Sequence, residues 1–320
     1  MIMSCASTGG STQAPSLYRG PEARATAHRS YDRAMELWSC EYQDDWVETA
    51  YGRTHVVTAG PAGAPPLVLV PGLFADATMW YANAGALAEH YRVHAVDLPV
   101  FGGKSEPAAG PTAGTGSGNA ISCEADYAAW FSELLRHYGY DHVALAGLSY
   151  GSWVSLAIAR QTPELVSAAL LLDPSEVFMP MNGGIAWRGF WSFMVFPNRS
   201  KYARFFTWLG GGYSDPDMDV WFEHMLDVIE YGSVGMTDVP RHRIYSPEEL
   251  EMVRMPVLVL AGGKPILYKD PAEFSRAART ALPHATVEIV PDAGHGLNME
   301  KAAYVNERML RFLRDSLGRS

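Results

Sequence analysis

Residues 147–151 read Gly-Leu-Ser-Tyr-Gly, a G-x-S-x-G sequence that can hold a nucleophilic serine. An apolar run, VALAG, leads into this sequence and an amphipathic stretch, GSWVSLAIARQTP, follows it, so we predict a strand, a sharp turn and a helix. The glycines permit the strained turn that exposes the serine hydroxyl, and the helix N-terminus favours developing negative charge. We therefore predict that Ser149 is a nucleophile, with a role as helix N-cap as the alternative.

A second residue, His295, can supply the base that a serine hydroxyl needs at neutral pH. It lies between the last predicted strand, TVEIV, and the last amphipathic helix, and Gly294 and Gly296 leave room for its ring to project. This position is at the carboxyl edge of the predicted sheet, level with Ser149. We predict that His295, among the ten histidines of the chain, is the base.

Short apolar runs that can form the sheet behind these residues recur along the chain. Most lack alternation, as expected for strands buried on both faces of a parallel sheet: LVLV (67–70), VHAV (93–96), VALAG (143–147), AALLLD (168–173), VLVLAG (257–262) and TVEIV (286–290). An earlier stretch alternates around Tyr51-Gly52 as a β-hairpin does. Because helical stretches separate the runs, we predict an α/β fold whose mostly parallel central sheet has helices on both faces.

This alternation stops after residue 176, which divides the predicted chain into regions. Residues 1–27 are expected to form a flexible tail, residues 28–175 and 253–320 the α/β core, and residues 176–252 a helical cap inserted after strand 6. The cap sequence is aromatic: fourteen Phe, Trp and Tyr residues fall between Phe178 and Tyr231. These rings are expected to form the cap's own core or to line an apolar pocket beneath it.

Composition and charge argue against several classes of binding partner. The net charge of −10 and the lack of clustered Lys and Arg argue against nucleic acid and against a membrane surface. No apolar run reaches 18 residues, the N-terminal stretch lacks the pattern of a secretory signal, and Cys5, Cys40 and Cys123 are widely spaced without a CxxC pair. We expect a cytoplasmic protein with neither a metal ion nor an organic cofactor; its oligomeric state is not predicted.

The motifs together resemble those of α/β-hydrolases, in the carboxylesterase-like group that carries an inserted cap. The resemblance extends from about Tyr31 to Leu317 and rests on LVPGLFADATMW, VHAVDLPVFGGKS, LAGLSYGSW, PVLVLAGG and PDAGHGLNMEKAAYVNERMLRFL. It implies an oxyanion hole made by two backbone N–H groups, those of Tyr150 and of Leu73. Pro71 stands where such proteins usually have histidine, but the donor is a backbone group, so the prediction is kept.

The resemblance also raises the question of the triad acid. Such proteins most often carry it after the VLVLAGG strand, where this chain has Gly263 and Pro265. Neither can orient an imidazole, and losing the acid costs on the order of 10⁴ in turnover. Asp173 ends the AALLLD strand and keeps the chain order of nucleophile, acid and base, so we predict that it is the acid. The alternative is that Asp173-Pro174 only starts a turn.

Other charged residues near these loops have simpler explanations. Asp270 is the second candidate for the acid, but it precedes a proline and a helical stretch, so an N-cap role accounts for it. Glu176 is a weaker candidate still. Asp292 and Glu300 are expected to face solvent or to cap the last helix, and Lys264 to lie in solvent or to bind a substrate carboxylate.

These residues predict a serine hydrolase that cleaves a carboxylic ester of a largely apolar small molecule through an acyl-enzyme. Acyl transfer, thioester cleavage or a non-hydrolytic cyclisation would use the same residues. A catalytically silent binding protein that keeps the pocket is the alternative from another class of function.

Overall fold

The computed structural model describes residues 16–108, 120–235 and 239–318. The strands in these ranges are β1 Tyr42–Thr49, β2 Gly52–Ala59, β3 Pro66–Val70, β4 Arg92–Val96, β5 Glu106–Pro107, β6 Val143–Leu148, β7 Val166–Leu172, β8 Val257–Gly262 and β9 Thr286–Val290. The α-helices are α1 Pro21–Met35, α2 Tyr81–Ala88, α3 Glu124–Tyr138, α4 Tyr150–Gln161, α5 Gly183–Gly189, α6 Arg199–Leu209, α7 Pro216–Tyr231, α8 Pro271–Ala281, α9 Leu297–Glu300 and α10 Ala302–Leu317. No helix in these ranges combines the length and apolar character that crossing a bilayer requires.

All of these strands belong to one sheet, in the order β1-β2-β4-β3-β6-β7-β8-β9, with β5 added beside β2. The strands from β4 through β9 in this order are parallel, whereas β2 pairs antiparallel with β1, β4 and β5. Thr49 pairs with Gly52, which confirms the predicted hairpin. All six predicted apolar runs are strands, and the predicted fold class is confirmed.

Alternate residues of the parallel strands face opposite sides of the sheet. In β3, Leu67 and Leu69 pack into one apolar cluster, and Val68 and Val70 pack into the other. The first cluster is completed by side chains of α1, α2 and α10, and the second by side chains of α3, α4 and α8. Burial on both faces explains why these strands lack the polar alternation of a half-exposed strand.

The register of the sheet brings two strand ends together. Leu148, the last residue of β6, pairs with Leu172, the last residue of β7, and Leu172 pairs in turn with Leu260 of β8. Ser149 and Asp173 follow immediately after the first pair. The carboxyl ends of parallel strands meet at one edge of the sheet, so these two residues begin neighbouring loops.

Two boundaries differ from the sequence expectation. Helix α1 begins at Pro21, so residues 21–27 are helical rather than part of a tail, and Ala27 is fully buried. Residues 1–15, which include Cys5, lie outside the described residues. Helices α5, α6 and α7 lie between β7 and β8; the strand before them is the seventh rather than the sixth because the two-residue strand β5 was not predicted.

Candidate active site

Ser149 lies in a sharp turn between β6 and α4. Its backbone has φ 57° and ψ −117°, a strained conformation for a residue with a side chain. Both neighbouring glycines are required by close packing: a Cβ on Gly147 would lie 2.2 Å from the carbonyl oxygen of Gly151, and one on Gly151 would lie 2.3 Å from that of Val70. The serine side chain makes no capping hydrogen bond to α4, so the N-cap alternative does not account for it.

His295 lies in the loop between β9 and α9, where it contacts the end of α6. Its backbone N–H donates to the carbonyl oxygen of Leu209 at 3.2 Å. The preceding residue must be glycine, because a Cβ on Gly294 would lie 2.6 Å from the carbonyl oxygen of Gly210. The Gly294 N–H also donates to Oε2 of Glu300 at 2.5 Å. The histidine loop is thus held from two sides.

Asp173 directly follows β7 and is almost completely buried, with 2% of its surface exposed. Its backbone is in the left-handed region, with φ 40°, and its N–H donates to the carbonyl oxygen of Leu260 at 2.7 Å. Carboxylate oxygen Oδ1 accepts a hydrogen bond from the Gly262 N–H at 2.9 Å. The end of β8 therefore supplies a backbone donor to this carboxylate and no acid of its own.

The three side chains form one continuous chain of hydrogen bonds. Nε2 of His295 lies 2.8 Å from Oγ of Ser149, and Nδ1 lies 2.6 Å from Oδ2 of Asp173. Because a carboxylate can only accept, Nδ1 carries the proton toward Asp173 and Nε2 is left to accept from the serine hydroxyl. This arrangement can draw a proton from Ser149 and hold the resulting imidazolium.

Leu73 and Tyr150 both border the space beside Ser149. Tyr150 is the first residue of α4, so its N–H has no partner within the helix. The loop that carries Leu73 passes close to the serine: a Cβ on Gly72 would lie 3.7 Å from that of Ser149. Within the described residues, neither the Leu73 nor the Tyr150 N–H donates a backbone hydrogen bond.

Above Ser149 lies a cavity of about 170 Å³ with mostly apolar walls. Leu73, Met79 and Leu148 line it from the α/β core, and Phe193, Phe205 and Trp221 line it from the segment between β7 and β8. Trp208, which does not line the cavity, packs against a small apolar cluster of Phe205, Leu209 and Ile266. Both explanations offered for the aromatic residues are therefore correct, for different rings.

The other acids predicted near the site lie apart from His295 or serve other partners. Asp270 is exposed and caps α8, with Oδ1 accepting from the Ala272 N–H at 2.8 Å. Asp292 is exposed, as expected. The same expectation is wrong for Glu300, whose side chain is 4% exposed and pairs with Nζ of Lys264 at 2.8 Å. Lys264, for which binding of a substrate carboxylate was one of the expected roles, is therefore already paired with a carboxylate of the protein.

Ser175 is a polar residue of the site that sequence reasoning missed. It is buried, with 5% of its surface exposed, and its Oγ lies 2.8 Å from Oγ of Ser149. Because the Ser149 hydroxyl donates toward His295, the Ser175 hydroxyl is the donor in this contact. The only sequence signal was its position two residues after Asp173, in a stretch that is typical of a turn.

His242 and Glu176 form a second polar pair at the cavity. Nε2 of His242 lies 3.1 Å from Oε2 of Glu176, and the ring packs edge-on against Tyr150 with centroids 6.0 Å apart. Burial lowers the pKa of His242, and the Glu176 carboxylate offsets this only in part. His242 is therefore neutral near pH 7 and adds no charge to the cavity wall.

A buried polar chain joins α1, the loop after β3 and α7. Nε2 of His224, on α7, lies 2.7 Å from Oδ2 of Asp76, and Nδ1 lies 2.9 Å from Oγ of Ser30, on α1. Asp76 also accepts from the backbone and side chain of Thr78. Burial would raise the pKa of Asp76, but the neighbouring His224 outweighs it and lowers the pKa. The chain holds α7 against the loop that carries Leu73.

Comparison with known proteins identifies relatives over most of the chain. The sequence model of the alpha/beta hydrolase family matches residues 67–308. An uncharacterized carboxylesterase, nap, of Bacillus subtilis (strain 168) is 29% identical over 301 residues, which cover 91% of this chain and 93% of the relative. Carboxylesterase YbfK of the same strain is 29% identical over 299 residues, covering 89% and 93% of the two chains.

A solved structure shows the same similarity in three dimensions. The crystal structure of naproxen esterase (carboxylesterase NP) from Bacillus subtilis superposes with a TM-score of 0.80 at 27% sequence identity. The match covers 92% of this chain and 99% of that one, so it includes the segment between β7 and β8 as well as the sheet.

Proposed function

The chain belongs to the alpha/beta hydrolase family, and on this premise we propose that it hydrolyses carboxylic esters through an acyl-enzyme on Ser149. The observation that carries the proposal is the hydrogen-bonded chain from Ser149 through His295 to Asp173, which faces a largely apolar cavity. The similarity to carboxylesterases over about nine-tenths of the chain supports the same reaction class.

In the first half-reaction, Oγ of Ser149 attacks the acyl carbon while its proton passes to Nε2 of His295. The tetrahedral intermediate collapses, the ester C–O bond breaks, and His295 returns the proton to the departing alkoxide. In the second half-reaction, His295 takes a proton from water, which attacks the acyl carbon. The bond from that carbon to Oγ of Ser149 then breaks, His295 returns the proton to Oγ, and the carboxylic acid leaves. Asp173 holds the tautomer of His295 and stabilises its cation throughout.

We assign the oxyanion hole to the backbone N–H groups of Leu73 and Tyr150. Their place beside Ser149 and their lack of other backbone acceptors support this assignment. Removing one such donor typically costs about 10²–10³ in kcat, so the pair would supply a large part of the rate enhancement.

We also propose that residues 28–175 and 253–320 act as the catalytic core and residues 176–252 as a cap over the cavity. Helices α5 to α7 and their apolar contribution to the cavity wall support this division. The substrate we propose is an ester with a largely apolar acyl or alcohol group. The cytoplasm is the compartment we propose, because the described cysteines, Cys40 and Cys123, are unpaired.

The test combines a fluorophosphonate probe with hydrolysis of p-nitrophenyl esters. We expect the probe to label the wild type, Ser149→Ala to abolish labelling and turnover, and Asp173→Asn to lower kcat by about 10⁴. Asp270→Asn is the matched control: it removes an exposed N-cap carboxylate and should leave kcat close to that of the wild type.

Two results would contradict the proposal. Normal turnover in Asp173→Asn with collapse in Asp270→Asn would assign the acid to Asp270. An unlabelled wild type that hydrolyses no ester of any acyl length would exclude ester hydrolysis altogether.

A further inference from the structure

Five large apolar side chains are exposed close together on the segment between β7 and β8. Of the nine exposed large apolar side chains found among the described residues, five fall within residues 187–196. They are Trp187, Phe190, Trp191, Met194 and Phe196, and their exposed fractions range from 45% for Trp191 to 86% for Phe196. We call these five side chains the aromatic patch. Exposed apolar groups clustered in this way mark an interaction surface.

Three rings of the aromatic patch contact one another. The centroids of Trp187 and Trp191 are 5.6 Å apart, and that of Phe190 lies 6.4 Å from Trp187 and 6.2 Å from Trp191. The opposite side of the same segment is apolar too, because Phe193 lines the cavity above Ser149. The two roles expected for aromatic residues here, cap core and pocket lining, leave the patch unexplained.

The stretch of chain that carries the aromatic patch has a charge opposite in sign to that of the whole chain. Residues 177–214 contain four basic residues and no Asp or Glu, in a chain of net charge −10. Arg199 pairs with three carboxylates of α7, those of Glu223, Asp227 and Glu230, which together outweigh its charge. The remaining basic residues, Arg188, Lys201 and Arg204, have no ion-pair partner among the described residues, and Arg188 stacks over the Trp208 ring at 4.5 Å.

We propose that the aromatic patch docks on an anionic lipid surface. Tryptophan and phenylalanine favour the boundary between headgroups and acyl chains, and flanking Lys and Arg favour anionic headgroups. Both features are present within one short segment. The net charge of the chain led to the expectation of no membrane partner, but it hides this local excess of basic residues.

The same charges argue against a second copy of this chain as the occupant. A two-fold contact places the same surface patch on both sides of the interface. Arg188, Lys201 and Arg204 would then lie near their own copies; residues 177–214 hold no acidic residue to balance them, and the α7 carboxylates nearby already pair with Arg199. An anionic lipid surface, in contrast, can accommodate both the apolar rings and the basic residues.

Docking would place the source of substrate beside the cavity, a step that rests on the proposed ester hydrolysis. Phe193 borders the cavity, and Phe190, Trp191 and Met194 lie within the same short π-helical stretch, residues 190–194. An apolar ester leaving the lipid surface would need to pass only the thickness of this segment to reach Ser149.

Vesicle flotation tests the proposal with the full chain. We expect the wild type to float with vesicles of equal phosphatidylglycerol and phosphatidylcholine, and far less with phosphatidylcholine alone or in high salt. The double variant Trp187→Ser/Trp191→Ser should lower the bound-to-free ratio about tenfold or more. The matched control is Tyr42→Ser/Met252→Ser, which removes two exposed apolar side chains elsewhere on the surface and should float like the wild type.

Three measurements make the result decisive. Both double variants should hydrolyse a short, soluble ester at the wild-type rate, which shows that they fold. Ser149→Ala should float like the wild type, so loss of ester hydrolysis and loss of docking are separate failures. The proposal is overturned if the wild type does not float with anionic vesicles, if Trp187→Ser/Trp191→Ser floats equally well, or if light scattering shows a wild-type dimer that this variant converts to a monomer.

Discussion

At the scale of single residues, steric limits made the places of Ser149 and His295 in the fold predictable. The turn at Ser149 requires a glycine two residues before and two residues after the serine, because any side chain at Gly147 or Gly151 would overlap the backbone. This steric requirement is visible in the sequence as a G-x-S-x-G pattern. The residue before His295 must be glycine for a similar reason, because the backbone at the end of α6 lies too close to the histidine loop for a side chain.

The carboxylate partner of His295 was predictable for a different reason. Register places the residue after β7 beside the residue after β6, so an aspartate at the end of the AALLLD run had to lie near Ser149. Because Asp173 lies there, the chain needs no carboxylate at positions 263 and 265, which follow β8 and hold Gly263 and Pro265. The backbone N–H of Gly262 instead supports Asp173 from that strand.

Ser175 could not be predicted, because its hydroxyl reaches Ser149 only through the left-handed backbone at Asp173. We expect Ser175→Ala to lower kcat about tenfold, since in deacylation Oγ of Ser149 is the leaving group and the Ser175 hydroxyl donates to it. Slower deacylation should lower KM together with kcat and produce a burst of p-nitrophenol in stopped-flow measurements.

The control for this variant is Ser155→Ala, a buried serine on α4 whose hydroxyl has no partner among the described residues. It should leave kcat and KM unchanged. If Ser175→Ala raises KM, or lowers kcat without a burst, the hydroxyl does not assist departure of Ser149.

At the scale of elements, the loop after β8 has a structural role at the site. Nζ of Lys264 lies 2.8 Å from Oε1 of Glu300, and Oε2 of the same carboxylate accepts from the Gly294 N–H. The lysine in the loop after β8 thus helps to fix the loop that carries His295. Sequence reasoning could not find this brace, because Lys264 and Glu300 lie 36 residues apart and pair only when β8 and β9 are adjacent.

We expect Glu300→Ala to lower kcat by roughly ten- to a hundredfold with little change in KM, since it releases the histidine loop and Glu300 itself does not line the cavity. Steady-state kinetics with a p-nitrophenyl ester measures both constants. Glu307→Ala is the control, because this exposed residue of α10 forms an ion pair only with Arg311 within the described part of the chain and should change neither constant.

A different pattern would contradict the role of the brace. If Glu300→Ala keeps the wild-type kcat, the Gly294 N–H and the position of His295 do not depend on this carboxylate. Loss of folded protein would be visible as a lowered melting temperature, which the comparison with Glu307→Ala separates from a loss of turnover.

At the scale of the whole molecule, the parallel strands and the sheet that they form were predictable, and the contacts between residues distant in the chain were not. Tyr31 of α1 packs edge-on against two histidines, His55 of β2 and His224 of α7, with centroids 5.8 Å and 5.5 Å apart. Each histidine is paired with a buried aspartate, Asp97 or Asp76. These residues are scattered over nearly two hundred positions of the chain, and no local pattern connects them.

His55 makes part of this network sensitive to pH. Burial opposes its charge, but the carboxylates of Asp97, at 2.8 Å, and Asp44, at 2.9 Å, outweigh burial and raise its pKa from 6.5 to about 9. The other groups that face it are the hydroxyl of Tyr31, at 3.4 Å from Nδ1, and the ring of Trp46. Folding therefore favours the protonated ring.

A raised pKa contributes stability that is complete below pH 6.5, where the unfolded chain also carries the proton, and is lost as pH rises toward 9. Across this range we expect the free energy of unfolding to fall by roughly 3 kcal/mol on account of His55. Urea unfolding at pH 6, 7.5 and 9 measures the slope, and His55→Gln, which cannot take up the proton, should give a flatter one. Parallel slopes in the two proteins would show that His55 does not hold its proton in the folded state, and that the link from β2 to Asp97 is an uncharged hydrogen bond.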